Sequence, residues 1–110
     1  MAIVVVNKHT HIHNIDLDIY IGRGSALGNP YKLSDYSREV SISLYAVEIS
    51  QCISTKANTK NLNYQGVKDL LNRIWWMNRY EGQCNLVCYC APLACHGDVI
   101  KGILDAIDIK

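Results

Sequence analysis

Apolar and polar positions divide the chain into six structured segments separated by polar loops. Residues 2–6 (Ala-Ile-Val-Val-Val) are a short β-branched run, the pattern of a strand buried on both faces. Residues 7–17 are polar and histidine-rich, without helical period, and read as a loop. Residues 18–22 (Asp-Ile-Tyr-Ile-Gly) predict a second strand ended by glycine. The next stretch holds the turn-formers Gly24, Gly28 and Pro30, so it must be a shaped loop. Good N-cap residues at 34–37 then precede Val40, Leu44 and Val47, with Ile42, Tyr45, Ile49 and Ile53 beside them, predicting a helix laid against a sheet. Residues 54–66 are polar and are the expected mobile connection. Val67, Leu70, Leu71, Ile74 and Trp75 mark a second helix ending near Gly82. Residues 85–90 give a third strand, and Val99, Ile100, Ile103, Leu104 and Ile107 the buried face of a last helix.

This order, with two helices between the second and third strands, predicts a parallel right-handed connection. The expected fold is a small Rossmann-like three-layer α/β domain with a short, mostly parallel sheet and about three helices. At 110 residues it is read as one domain. The second and third strands then end at one edge, where open α/β sheets bind ligands. The loops leaving that edge are residues 22–31 and 90–98.

Composition narrows the function classes. The hydrophobic share is 49% and the charged share 19%, an ordinary globular balance. No stretch approaches the ~20 apolar residues of a membrane span, and the first residues lack the marks of a secretory signal, so the mature protein is expected to begin here. The net charge is +1 and the pI about 7.6, with Lys and Arg scattered. Extended nucleic-acid binding is therefore not expected, although a small basic patch would suffice for one nucleotide. Five cysteines, four of them at 84, 88, 90 and 95, do not make a secreted disulfide framework. Reduced thiols in a cytoplasmic setting are the simpler reading, the host cytoplasm if the gene is phage-borne.

Two motifs carry the candidate chemistry. In Tyr20-Ile21-Gly22-Arg23-Gly24-Ser25-Ala26-Leu27-Gly28-Asn29-Pro30-Tyr31, glycines permit close backbone approach and Arg23 offers a planar fork to phosphate or carboxylate. Asn29, held extended before Pro30, would aim its amide at a fixed point. A purely structural account is a tight loop whose Arg23 bridges backbone carbonyls. The second motif, Cys88-Tyr89-Cys90-Ala91-Pro92-Leu93-Ala94-Cys95-His96-Gly97-Asp98, runs from a strand into a helix start, whose open N–H groups suit an anion. Three readings stand beside each other. Cys88, Cys90, Cys95 and His96 have zinc-ligand chemistry at an unusual spacing. Cys95 could be a reactive thiolate at the helix start. Otherwise Cys88 and Cys90 pack as small hydrophobes while Cys95, His96 and Asp98 shape the loop and cap the helix.

His9, His11 and His13 would share one face if extended, and three imidazoles can hold a metal, but a solvated polar loop explains them more cheaply. Of Trp75 and Trp76, one must point away from the core, as a rim residue or as a contact in a homo-oligomer.

The two motifs, with Val5-Val6-Asn7-Lys8 at the start, closely resemble the small family DUF4326, whose members are common in bacteriophage and bacterial genomes. The resemblance spans nearly the whole chain and carries no activity with it. It implies that a shared function uses Arg23, Gly28, Asn29, Pro30, Cys90, Pro92, Cys95, His96 and Asp98. This chain departs from the pattern at Gly24-Ser25-Ala26, where members often have a proline-bearing turn. It departs again at Leu93-Ala94, where a basic residue often precedes the cysteine.

The functional expectation is binding of a small anionic, nucleotide-derived ligand at the shared strand edge, with processing or sequestration both open. The binding set is Gly22, Arg23, Gly28, Asn29, Pro30, Tyr31, Cys90, Pro92, Cys95, His96 and Gly97, with His96 and Asp98 as acid–base candidates and no cofactor required. The alternative is a zinc-stabilised protein-interaction module built on Cys88, Cys90, Cys95 and His96.

Overall fold

The computed structural model describes residues 2–89 and 95–108. Along them run β1 (Ala2–Asn7), β2 (Asp18–Tyr20), α1 (Arg38–Thr55), α2 (Tyr64–Glu81), β3 (Gln83–Cys88) and α3 (His96–Asp108). The strands form one sheet in the order β1-β3-β2, with both pairs parallel. All six predicted segments are present in the predicted order, and the fold is a small α/β domain with three helices on an all-parallel sheet.

β3 occupies the centre because residues 84–88 are all buried, which requires cover on both faces. β1 differs from the sequence expectation. As an edge strand it has a neighbour on one side only, and Val4 stays 38% exposed while Ile3 is buried. β3 also begins two residues earlier than its apolar run suggests. Gly82, at φ +79°, caps α2 in the left-handed region and turns the chain straight into Gln83 and Cys84.

Ser37 starts α1 by accepting from Val40 N–H, and Asn63 starts α2 by accepting from Gly66 N–H. The buried stripe of α1 is rotated from the one expected. It runs through Ser41, Tyr45, Glu48, Ile49 and Cys52, leaving Val40 and Val47 exposed. A buried Glu48 explains the rotation. Its carboxylate accepts from the Tyr31 and Thr59 hydroxyls, the Asn61 amide side chain (3.0 Å) and the Asn61 N–H (2.9 Å). Burial alone would raise the Glu48 pKa, but these bonds, led by Asn61 and Thr59, outweigh it and hold it at about 2. The same carboxylate pins the polar connection between α1 and α2, which is therefore tied down where mobility was expected.

A second buried carboxylate fixes the passage from β1 to β2. Parallel strands normally need a crossover of roughly a dozen residues or more, and here residues 8–17 suffice. Asp18 accepts from Asn14 N–H (2.8 Å), Asn85 Nδ2 (2.9 Å) and His11 Nε2 (2.9 Å), and His13 Nδ1 lies 3.2 Å away. Burial pushes the Asp18 carboxyl up, and the bonds from Asn14, Asn85 and His11 more than reverse it, leaving the pKa lowered. The core gathers Ile3, Ile19, Leu86, Tyr45, Ile74 and Ile100 from all six elements into one cluster. Among the described residues, no helix is long and apolar enough to cross a membrane.

Candidate functional site

All three strands run parallel, so the loops after Asn7, Tyr20 and Cys88 leave one edge of the sheet. A cavity of about 380 Å³ opens there. Its walls are Tyr20, Gly22 and Arg23 from the loop after β2, Asn29, Tyr31 and Leu33 further along it, Arg38, Ser41 and Ile42 at the start of α1, Cys88 and Tyr89 at the end of β3, and His96 at the start of α3. The expected meeting of Arg23 with His96 is realised. Two arginines stand among the described lining residues, and no carboxylate does.

The loop after β2 is held by its own backbone. Ser25 donates to the Gly22 carbonyl through N–H (3.1 Å) and Oγ (2.7 Å), and Gly28 N–H donates to Ser25 O (3.0 Å). A Cβ at Gly28 would sit 2.7 Å from Gly22 O, so only glycine closes this turn. Leu27 is fully buried, and its carbonyl accepts from Tyr45 Oη (2.7 Å). Asn29 spends its amide within the protein: Oδ1 accepts from Tyr31 N–H (2.9 Å) and Nδ2 donates to Ser41 Oγ (2.9 Å). Ser41 Oγ in turn donates to Tyr31 O (2.6 Å). The fixed point of Asn29 is thus α1, and through it the Tyr31 ring is set against the cavity. Gly28 and Pro30 border a shallower hollow that Arg23 shares.

At the other wall, α3 begins with a capping box in which sulfur replaces a hydroxyl. Gly97 N–H donates to Cys95 Sγ (3.3 Å), and Cys95 N–H donates to Asp98 Oδ2 (3.1 Å). Asp98 therefore serves the helix start and is not among the described lining residues. A Cβ at Gly97 would meet Val5 and Ile21 side chains at 3.0–3.1 Å, so this glycine lets α3 close on the sheet. His96 is buried with its ring edge-on to Tyr45, and Nε2–H donates to the Ile21 carbonyl (2.6 Å). A carbonyl only accepts, so Nε2 carries the proton and the neutral ring keeps Nδ1 as an acceptor. Burial lowers the His96 pKa, opposed by the Ile21 bond and the Asp98 charge.

The described parts of both motifs lie on one architecture, and the profile of the family described as "Domain of unknown function (DUF4326)" matches residues 4–106. The chain belongs to the DUF4326 family. No curated protein and no solved structure matches it. In this DUF4326 chain the sequence-predicted residues Gly22, Arg23, Asn29, Tyr31 and His96 line one cavity, while Gly28, Pro30, Cys95, Gly97 and Asp98 build the backbone around it. Cys90 and Pro92 lie outside the described residues. Sequence reasoning missed Tyr20, Leu33, Arg38, Ser41, Ile42 and Tyr89 as lining positions. Tyr20 was legible as the strand-end residue facing the same way as Gly22, whereas Arg38 carried no mark distinguishing it from a solvated first-turn residue.

Potential metal ligands are only partly gathered. Cys88 Sγ and Cys95 Sγ are 3.5 Å apart, but His96 Nε2 is committed to Ile21. His11 and His13 converge on Asp18, while His9 packs against the Tyr89 ring. Among the described residues, no group of three or more His, Cys, Asp or Glu is arranged to hold a metal ion.

Proposed function

We propose that the chain binds a small anionic ligand carrying a flat ring, of nucleotide-derived type, in the cavity at the carboxyl edge of the sheet. The observation that carries this reading is the pairing of two arginines with three tyrosines and no carboxylate among the described lining residues. Arg23 and Arg38 supply charge and planar donor forks for phosphate or carboxylate. The starts of α1 and α3 border the same space and add the positive ends of two helix dipoles. Tyr20, Tyr31 and Tyr89 offer aromatic faces and edges to a ring. The side chain of Lys8 lies over the Tyr20 and Tyr89 rings at 5.0 and 5.8 Å, bracing that wall.

The volume falls near the lower end of the roughly 300–1,000 Å³ usual for ligand sites, which favours a mononucleotide over a dinucleotide. His96 contributes as a neutral acceptor through Nδ1. Asp98 acts through the helix start, so this reading assigns no acid–base pair and covers sequestration as well as a processing step. The free thiols among the described cysteines support a cytoplasmic setting for this proposal.

Thermal-shift measurements with AMP, ADP, a cyclic mononucleotide and NAD test the reading. Stabilisation by a mononucleotide that Arg23→Ala reduces about tenfold or more in affinity supports it, since charge-assisted contacts are worth about 1.5–3 kcal/mol. Stabilisation that survives Arg23→Ala and Arg38→Ala unchanged contradicts it.

A further inference from the structure

We infer that Lys8, His11 and His13 form a second binding site, for a tetrahedral oxyanion of phosphate type, in a hollow that shares Tyr20 with the ligand cavity. The hollow holds about 360 Å³ and is lined by these three residues together with Asp18, Tyr20 and Val87. It lies at the same carboxyl edge of the sheet because Lys8 directly follows β1, its N–H donating to Cys88 O (2.7 Å). The chain then turns back, His11 N–H donating to Asn7 O (2.9 Å), and enters β2 with His11 and His13 both on the Asp18 carboxylate.

Asp18 acts here through the imidazoles and not by its own charge. Its side chain is 2% exposed, and Asn14 N–H, Asn85 Nδ2, His11 Nε2 and His13 Nδ1 all lie within 3.2 Å of its oxygens. These groups fill the roughly four lone-pair sites of a carboxylate, leaving none for a cation. A carboxylate only accepts, so His11 carries its proton on Nε2 and His13 on Nδ1. The opposite nitrogens, His11 Nδ1 and His13 Nε2, have no partner among the described residues. A second proton on either ring turns that nitrogen into a charged donor directed away from Asp18. Lys8 adds a permanent charge. Its ammonium lies over the Tyr20 and Tyr89 rings at 5.0 and 5.8 Å, and among the described residues no carboxylate pairs with it.

With both imidazoles protonated, three cations surround one buried carboxylate, and an oxyanion offsets the excess through charge-assisted bonds. Oxyanion binding and proton uptake are therefore coupled. The titratable groups facing the histidine pair are Lys8, Asp18 and Tyr20, and β3 supplies only Val87. Asp69 and Arg73 of α2 belong to the adjoining hollow that Asp18 and Tyr20 also line. Such an oxyanion has two sources, a free ion or a second phosphate on the ligand held across Tyr20. The site uses neither Arg23 nor Arg38, so it does not depend on the reading of the larger cavity.

Titrating the full chain with sodium sulfate at constant ionic strength tests it, with the ring signals of His11 and His13 followed by NMR. Sulfate keeps its double charge between pH 6 and pH 8, so any pH dependence belongs to the protein. The expected result is saturable shifts of both rings, with an affinity about tenfold higher at pH 6 than at pH 8. Lys8→Ala, at an exposed position, should weaken binding about tenfold. Adenosine 3′,5′-bisphosphate set against AMP identifies the source. A gain over AMP that Lys8→Ala removes supports the site with a ligand-borne phosphate, and equal affinities beside saturable sulfate binding support it with a free ion. Shifts that chloride reproduces, an affinity equal at the two pH values, or binding that Lys8→Ala and His13→Ala leave unchanged would each overturn the inference.

Discussion

Single side chains in this protein divide into those that face the cavity and those that hold its walls, and the two groups fail differently. Arg23 and Arg38 face it, and the exposed Arg23 tests this most simply: Arg23→Ala should weaken a mononucleotide by about tenfold while leaving the melting temperature nearly unchanged. Calorimetric titration alongside a melt separates the two effects. Gly97 holds a wall. Gly97→Ala drives a methyl into Val5 and Ile21 and should cost about 1–3 kcal/mol of stability, measured by urea unfolding. Much of this was legible. Arg23 and His96 were placed at one sheet edge from their positions after a strand and before a helix, and both line the same cavity. Asn29 and Asp98 were read as ligand or catalytic groups, yet both spend their side chains on the protein. Residue type and spacing reveal a polar group at a site but not which partner reaches it first.

Among the elements, the two buried carboxylates decide what local pattern could not. The apolar residues of α1 pointed to a face through Val40, Leu44 and Val47, and Glu48 overrode it by drawing its own side inward to meet Tyr31, Thr59 and Asn61. A carboxylate on a helix is ordinarily a sign of the solvated side, so periodicity alone misplaced the stripe. Asp18 does the same for the ten-residue crossover after β1. Asp18→Asn removes an acceptor from Asn14 N–H, Asn85 or His11. It should lose about 1–3 kcal/mol and speed amide exchange across residues 8–17. Exchange unchanged in that segment would show that the crossover does not rely on Asp18. The order of strands and helices, by contrast, followed from apolar runs long enough to be read without tertiary knowledge.

The molecule as a whole should lose stability in two stages as pH falls. His96 has a folded pKa below its ordinary 6.5, so the unfolded chain takes up the proton first. Its share of stability is therefore complete above about pH 6.5 and declines as pH drops below it. Glu48 is held at about 2 against an ordinary 4.5. Its share is complete above 4.5 and disappears as pH falls from there toward 2. Chemical unfolding at pH 7.5, 5.5 and 3 should show both declines, and Glu48→Gln should shrink the second only, leaving the part that Asp18, also lowered, contributes there. A stability that rises between pH 6.5 and 5 would mean the His96 ring is not buried as described.

All of these effects converge on one space, formed because three parallel strands deliver their loops to the same edge. A proton–nitrogen NMR titration with AMP reports on that space residue by residue. The account predicts saturable shifts at Gly22, Arg23 and Tyr31, at Arg38 and Ser41 at the start of α1, and at His96 and Gly97, with α2 silent. Saturable binding whose shifts fall on α2 and leave residues 22–31 and 96–97 unmoved would contradict it.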